Sequence, residues 1–345
     1  MESLPVPIVQ SLASGAAGVP VRYIRTDADA VPVVLDPDLE IPTVDFGRLL
    51  DPGSSRQESL KLHSACQDWG FFQLMNHNIP HELIERMKVD ITEFFKLPLE
   101  TKKEFSQLPG NLEGYGQLFV FSKDQKLDWG DMMYFHTQPL RRRSKDLWPT
   151  HPHTFRDTLD NYSSELYLLG KILLNVMATN LGISPEVMTN TIEEGVQSVR
   201  FNYYPPCPQA DKVIGLSPHS DGSLVTFVLQ VNEVQGLQIK KNGRWVPVKP
   251  LPGAFVVNIG DSFEILSNGK YKSIEHRVVV NPEKERLSIA AFHSPSLDTV
   301  IGPLPEIVGG GEANYKTLSN EHFMKLFLSS KLEGKSSLDR MKLNK

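Results

Sequence analysis

Between Val199 and about Pro295 the chain changes texture: short runs rich in Val, Ile, Phe and Tyr alternate with Gly, Pro and Asn punctuation. Asn242-Gly243, Pro252-Gly253 and Asn268-Gly269 are the strongest turn signals in this stretch, since each pairs a turn-forming residue with a glycine free to take positive φ. Many short strands joined in this way can bury their apolar faces only as a sandwich, a jelly roll or a barrel.

The flanking regions have a different period. Leu62, Cys66 and Trp69 mark one helix face that stops at Gly70, and Leu83, Met87, Ile91, Phe94 and Phe95 mark another after Pro80. The longest helix carries Phe155, Leu159, Tyr162, Leu166, Leu169 and Leu173 at alternating spacings of four and three, with Gly182 just beyond its end. A shorter helix is expected at about Pro185 to Glu193, and a last one from about Ser319 to Leu332. Ile41–Phe46 and Phe71–Leu74 read as short strands, and residues up to about Leu39 as a surface arm. The expected class is α+β. The divisions are an N-terminal arm and mixed region over 1–195, a β-rich core over 196–300 and a closing segment over 301–345. No flexible linker separates them, so they form one unit.

Charge narrows the functions available. A formal net charge of −5 gives no general attraction for phosphate backbones, so nucleic acid is not an expected partner. The basic run Arg141-Arg142-Arg143, between Pro139 and Pro149, reads as a solvated loop. Two cysteines cannot build a disulfide framework in 345 residues. The segment Met1-Glu2-Ser3-Leu4-Pro5 lacks the basic and apolar parts of a secretory signal, and no run approaches a membrane span. The expectation is a cytoplasmic, monomeric protein with a small-molecule partner and no membrane partner.

His219 and Asp221 are two apart in Ser217-Pro218-His219-Ser220-Asp221-Gly222. In a strand such residues share a face, so an imidazole and a carboxylate can share a metal; alone, the pair reads first as a surface turn at Pro218. His276 adds a third ligand type on a strand read over Tyr271–Val279, three or four strands later. Two histidines and one carboxylate leave three coordination positions open, the arrangement of iron(II) oxygenases, although zinc accepts the same ligands.

Arg286 and Ser288 repeat the two-residue spacing on Arg286–Phe292. A guanidinium with an adjacent hydroxyl suits the far carboxylate of a dicarboxylic acid; the alternative is a salt bridge to Glu283 or Glu285. Asn202 and Tyr204 form a third such pair, with Arg200 on the same face and Phe201 and Tyr203 on the other. Polar side chains inside a rolled sheet are costly unless they bind something. The parity that turns Ser288 inward also turns Ala290, Phe292 and Ser294 toward a substrate. It turns His293 away, as a structural residue. Arg200 is a candidate for a polar substrate group, and Tyr115 and Phe119, in a glycine-rich segment, for a pocket wall.

At these residues the sequence resembles the plant 2-oxoglutarate/iron(II)-dependent dioxygenases of specialised and hormone metabolism, closest to their senescence-related-like, alkaloid O-demethylase-like branch. Ile41-Pro42-Thr43-Val44-Asp45, Trp69-Gly70-Phe71-Phe72-Gln73 and Asn76-His77 match the family's N-terminal region. Asn202–Cys207, His219-Ser220-Asp221, Asn268–Arg277 and Arg286-Leu287-Ser288 match its core. Gly114-Tyr115-Gly116-Gln117 and Lys126-Leu127-Asp128-Trp129 support the branch. Asn78 stands where the family commonly has Gly; Asn tolerates a left-handed backbone better than most residues, which preserves the turn. The resemblance implies a double-stranded β-helix (jelly roll) flanked by helices. It implies iron(II) on His219, Asp221 and His276, and 2-oxoglutarate on Arg286, Ser288 and Tyr204 with Asn202 beside them. It also implies O₂ as oxidant, with ascorbate helpful. The expected activity is hydroxylation, desaturation or O-demethylation of a small, largely apolar natural product or hormone, with release of succinate and CO₂. The alternatives are an iron oxidase of the same fold that does not consume 2-oxoglutarate, a non-catalytic small-molecule binding protein and a zinc hydrolase.

Overall fold

Two sheets pack against each other, and the strands between residues 196 and 294 supply most of both. In this computed structural model, residues 4–343 are described except 5, 16–17, 26–32, 34–38, 118–119, 121, 194 and 330–333. The strands are β1 (Thr43–Asp45), β2 (Phe71–Met75), β3 (Gly114–Gly116), β4 (Asp131–Gln138), β5 (Val196–Tyr204) and β6 (Leu216–His219). They continue with β7 (Val225–Gln230), β8 (Leu237–Lys241), β9 (Arg244–Pro247), β10 (Phe255–Ile259), β11 (His276–Val278) and β12 (Arg286–Ser294). The larger sheet runs β1-β2-β10-β7-β12-β5-β4-β3 and the smaller β6-β11-β8-β9. This is the jelly roll, with β1 to β4 from the N-terminal region completing its larger sheet.

Period-two patterning fixes which face of each long strand enters the roll. On β5, Val199, Phe201 and Tyr203 face outward, and on β12 Leu287, Ile289 and Ala291 do the same. They join a core with the helices His81–Lys96 and Phe155–Leu181. Phe201 packs on Phe155 and Phe135, and Tyr203 stacks on Phe95 at 4.8 Å between centroids. Full burial of a Phe or Leu contributes on the order of 1.5–3 kcal/mol. A one-residue slip of β5 would bring Asn202 and Arg200 into this core at that cost, so the register is strongly specified. The inner faces are free to carry polar residues. A second apolar cluster, with Phe71, Tyr204, Val256, Leu216, Ile239 and Val278, holds the two sheets together.

The turn chemistry acts as read. Asn242 and Gly243 both take positive φ (50° and 75°) between β8 and β9, the backbone of a two-residue hairpin whose twist matches its strands. Asn78 has φ 62°.

Three expectations need correction. Tyr271–Ile274 is not strand: β11 is only His276–Val278, because side chains take up the preceding backbone donors. Tyr271 N–H donates to Ser267 Oγ, and Ser273 N–H to Glu264 Oε2. Arg143 is not solvated; its side chain is 2% exposed, paired with Asp160 at 2.7 Å and laid over the Trp148 ring. Tyr115 is not a pocket wall but is buried against Phe94 and Phe95. The closing helix is described over Asn320–Ser329, the remainder of the expected span to Leu332 lying outside the described residues, and a second helix is found at Ser336–Met341. Leu338 and Met341 of that second helix are buried, and Gly334 N–H donates to Pro218 O of β6. This tethers the C-terminal segment beside β6. Phe119 lies outside the described residues.

Candidate active site

β6 and β11 are antiparallel neighbours with His276 directly opposite His219, which brings the two imidazole centroids to 4.2 Å. β6 ends at His219, so Asp221 reaches the same point from the first turn beyond the strand. Its Oδ1 lies 3.5 Å from His219 Nε2 and 3.7 Å from His276 Nε2. The ligand atoms of the three buried residues all lie within 4.8 Å of one another.

Each group is held by its far side. His219 Nδ1 bonds to Ser217 O at 2.8 Å and His276 Nδ1 to Ile274 O at 3.1 Å. A carbonyl can only accept, so both Nδ1 atoms carry the proton and both Nε2 atoms present lone pairs. Asp221 Oδ2 accepts from Thr226 Oγ1 at 2.7 Å and Asn258 Nδ2 at 2.8 Å, leaving Oδ1 free to face the histidines. Thr226 and Asn258 are directly opposite each other on β7 and β10. Burial pushes the His219 imidazole down to about 3, with His276 adding to the effect and Asp221 opposing it; the ring is neutral. Burial acts to raise the Asp221 carboxyl, but His276, His219, Asn258 and Thr226 together hold it below the usual range. Two nitrogen lone pairs and a carboxylate oxygen converging without an internal donor match a divalent cation on one face, each group held from behind by the hydrogen bonds just described.

The second polar group sits on the inner face of the larger sheet. Arg286 is directly opposite Tyr204, and Ser288 directly opposite Asn202, so four residues form one block across β12 and β5. Arg286 is buried, donates from Nη1 to Ser288 Oγ at 3.2 Å, and its guanidinium carbon lies 5.4 Å from the centre of the Tyr204 ring. It forms no ion pair to a carboxylate among the described residues; Glu285, the expected competitor, accepts from Tyr203 OH at 2.6 Å instead. Arg286 Nε and Asn202 Oδ1 are buried without hydrogen-bond partners. A buried guanidinium with spare donors is a ready carboxylate site. A small cavity reaches this block past Asn202 and Tyr204; Arg286 and Ser288 adjoin it through Tyr204. Three glycines make room here. A Cβ on Gly130 or Gly215 would stand 2.9 Å from the Tyr204 ring, and one on Gly236 would stand 2.8 Å from Arg286 Cδ.

A cavity open to solvent lies over His219 and Asp221. Phe292, Ser294 and Arg200 line it, as parity indicated. His293 faces the other way, with its Nε2 3.2 Å from Gln197 Nε2 and pressed on Gly170. Sequence reasoning missed Tyr134, Ser198, Leu112 and the helix residues Met324, Phe327 and Leu328, which complete the wall. It also missed Thr226 and Asn258. Their signal was present: each is a lone hydrogen-bonding side chain in an apolar strand, Val225–Leu229 and Phe255–Ile259.

Comparison with known proteins agrees with this geometry. Residues 195–295 match the profile of the 2OG-Fe(II) oxygenase superfamily, and residues 41–151 that described as the non-haem dioxygenase in morphine synthesis N-terminal region. The chain is 51% identical over 348 residues to 2-oxoglutarate-dependent dioxygenase 11 of Oryza sativa subsp. japonica, covering 99% of this chain and 98% of that one. It is 48% identical to oxoglutarate-dependent flavonoid 7-O-demethylase 1 of Ocimum basilicum, covering 99% and 92%. The crystal structure of JOX2 in complex with 2OG, Fe and JA superimposes with a TM-score of 0.90 at 36% identity, covering 100% of both chains. Among the described residues no helix is long and apolar enough to cross a membrane.

Proposed function

The chain belongs to the 2OG-Fe(II) oxygenase superfamily, and on that footing we propose that His219, Asp221 and His276 hold its iron(II) while Arg286, Ser288, Tyr204 and Asn202 hold 2-oxoglutarate. It is a 2-oxoglutarate-dependent dioxygenase of small natural products. Iron(II), 2-oxoglutarate and O₂, when bound, supply an oxidative decarboxylation to succinate and CO₂ coupled to oxidation of a substrate C–H bond.

The residues of the chain aim and enclose that chemistry. Ser217 O and Ile274 O fix the tautomers that turn both Nε2 atoms inward. Thr226 and Asn258 hold Asp221 so that a single oxygen faces the metal position. The Arg286 fork takes the distal carboxylate, oriented by Ser288 on the same strand face. Phe71, whose ring lies 5.3 Å from His276, shields the histidine from water. Residues 196–300 carry all the groups that would hold iron and 2-oxoglutarate, so this segment is read as the catalytic core, completed by Phe71 and the regions on either side.

The observation that carries the reading is the pairing of two features on the inner faces of one roll. One is a facial cluster of three acceptors; the other is a buried guanidinium with no carboxylate of its own. The second feature suits the distal carboxylate of 2-oxoglutarate but would equally take another carboxylate, so release of succinate is what separates this reading from an oxidase without 2-oxoglutarate. The substrate sits among Leu112, Phe292, Met324, Phe327 and Leu328, a wall suited to a flat apolar body. Attack at a methoxy carbon gives loss of formaldehyde, and at a ring or chain carbon hydroxylation or desaturation. The reading includes a monomer in the cytoplasm, the latter in keeping with a chain of only two cysteines, both free and buried.

The test is stoichiometry. Purified enzyme with iron(II), ascorbate and 2-oxoglutarate is screened against methoxylated and unsubstituted aromatic and terpenoid compounds. One succinate per oxidised product supports the reading; substrate oxidation without succinate contradicts it.

A further inference from the structure

Neither the three-acceptor cluster nor the Arg286 block uses Arg200. It lies on the inner face of β5 between Asn202 and Ser198 and lines both cavities. Its Nε is buried with no hydrogen-bond partner, and among the described residues it forms no ion pair. The acidic groups on this side are already engaged. Asp128 accepts from Arg25 Nη2 at 2.9 Å and from Ser217. Glu113 accepts from His136 N–H at 2.9 Å and Ser144 Oγ at 2.6 Å. Asp221 is held by Thr226 and Asn258.

The neighbours of Arg200 make room for a ligand. Directly opposite on β12 is Ala290, a small side chain, and directly opposite on β4 is Tyr134. Arg200 is close enough for its charge to act on His219, Tyr134, Tyr204 and Asp128, the last of which is already paired with Arg25 at 2.9 Å, so it stands between the two ends of the site. The remaining wall of the larger cavity is mainly hydrocarbon. A cation facing such a wall is costly unless its ligand brings a countercharge, and the guanidinium fork matches a carboxylate in both plane and spacing.

From this we infer that the natural substrate is an apolar acid whose carboxylate pairs with Arg200, beside Tyr134 and Ser198. Its hydrocarbon body lies against Phe292, Met324 and Phe327, with a C–H bond over His219 and Asp221. This rests on the dioxygenase reading and names the substrate class of the same site.

The experiment uses full-length protein loaded anaerobically with iron(II) and 2-oxoglutarate. Calorimetric titrations follow with 4-methoxycinnamate and 2-naphthylacetate, each paired with its methyl ester. The acids are expected to bind about 10- to 100-fold more tightly than the esters, the range for gaining a charge-assisted hydrogen-bonded pair. Arg200→Met should collapse that ratio to near one, and Arg200→Lys should keep part of it. Because the readout is a ratio within each variant, a general loss of binding competence cancels. Equal affinity of acid and ester in the wild type, binding of neither acid, or a ratio that survives Arg200→Met overturns the inference. So does a result in which Arg200→Met weakens only 2-oxoglutarate. Failure of iron and 2-oxoglutarate to load in the first place overturns the underlying reading, and is seen before any acid is added.

Discussion

Thr226→Val is the sharpest perturbation of the cation site that leaves its three ligands in place. Valine matches threonine in shape and suits a central strand, so β7 keeps its register while Asp221 Oδ2 loses the 2.7 Å donor and retains only Asn258 at 2.8 Å. A hydrogen bond to a charged group contributes about 1.5–3 kcal/mol. Part of this appears as mobility of Asp221, since Oδ1 is aimed only because Oδ2 is fixed from two sides. Loss of such an outer partner lowers metal affinity about 10- to 100-fold, equivalent to about 1.4–2.7 kcal/mol. Asn258→Ala should fall in the same range. The double variant should lose more than either single one, while Asp221→Ala abolishes binding. The assay is an anaerobic competition titration of iron(II) or cobalt(II) against a chromogenic chelator, with circular dichroism to verify folding. Metal affinity within twofold of wild type in both single variants refutes the idea that these two residues aim the carboxylate.

Three further outcomes follow from other parts of the structure. Gly236→Ala places a Cβ 2.8 Å from Arg286 Cδ and 2.8 Å from Val279 O, so it should raise the KM for 2-oxoglutarate about 10-fold with metal affinity little changed; equal shifts in both would contradict the separation of the two sites. Burial lowers the His293 imidazole to about 4, with the Leu166 carbonyl partly opposing. The folded state therefore holds the neutral ring, and its contribution is complete above pH 6.5 and lost as pH falls toward 4, roughly 3 kcal/mol over that window. His293→Leu should flatten the fall in urea midpoint between pH 7 and pH 5, and an unchanged slope counts against it. Phe327→Ala and Phe292→Ala should release succinate in excess of oxidised product, measured by parallel quantification, because a loosened wall no longer holds the substrate over the reacting position.

What was legible in the sequence was what alternation controls. Over the middle of β5 and β12 inward polar residues alternate with outward apolar ones, Val199, Phe201 and Tyr203 on β5 and Leu287 and Ile289 on β12, so one rule placed Asn202, Tyr204, Arg286, Ser288, Phe292 and His293 on the correct faces. Register did the rest by setting Arg286 against Tyr204 and His276 against His219. Tyr115 defeated the same reasoning because β3 is three residues long and bounded by glycines, too short for parity to say which side meets the aromatic core. The length of β11 was overestimated because apolar texture cannot reveal that Ser267 and Glu264 side chains occupy the backbone donors of Tyr271 and Ser273. Phe323, Leu326 and Phe327 were visible as apolar positions of the closing helix, but not that Met324, Phe327 and Leu328 would line a cavity. Which surface a helix covers depends on tertiary anchors such as Lys335–Glu264, 3.1 Å apart. Periodicity does not encode such anchors.

The central claim is that one roll brings an iron position and a dicarboxylate position together. Its most direct test is the weak visible charge-transfer band of the iron(II)–2-oxoglutarate chelate, recorded anaerobically. The wild-type protein should show the band, His219→Ala should lose it, and Arg286→Ala should require much more 2-oxoglutarate to reach it. Iron bound without any band in the wild type, or a band indifferent to His219→Ala, would contradict the account.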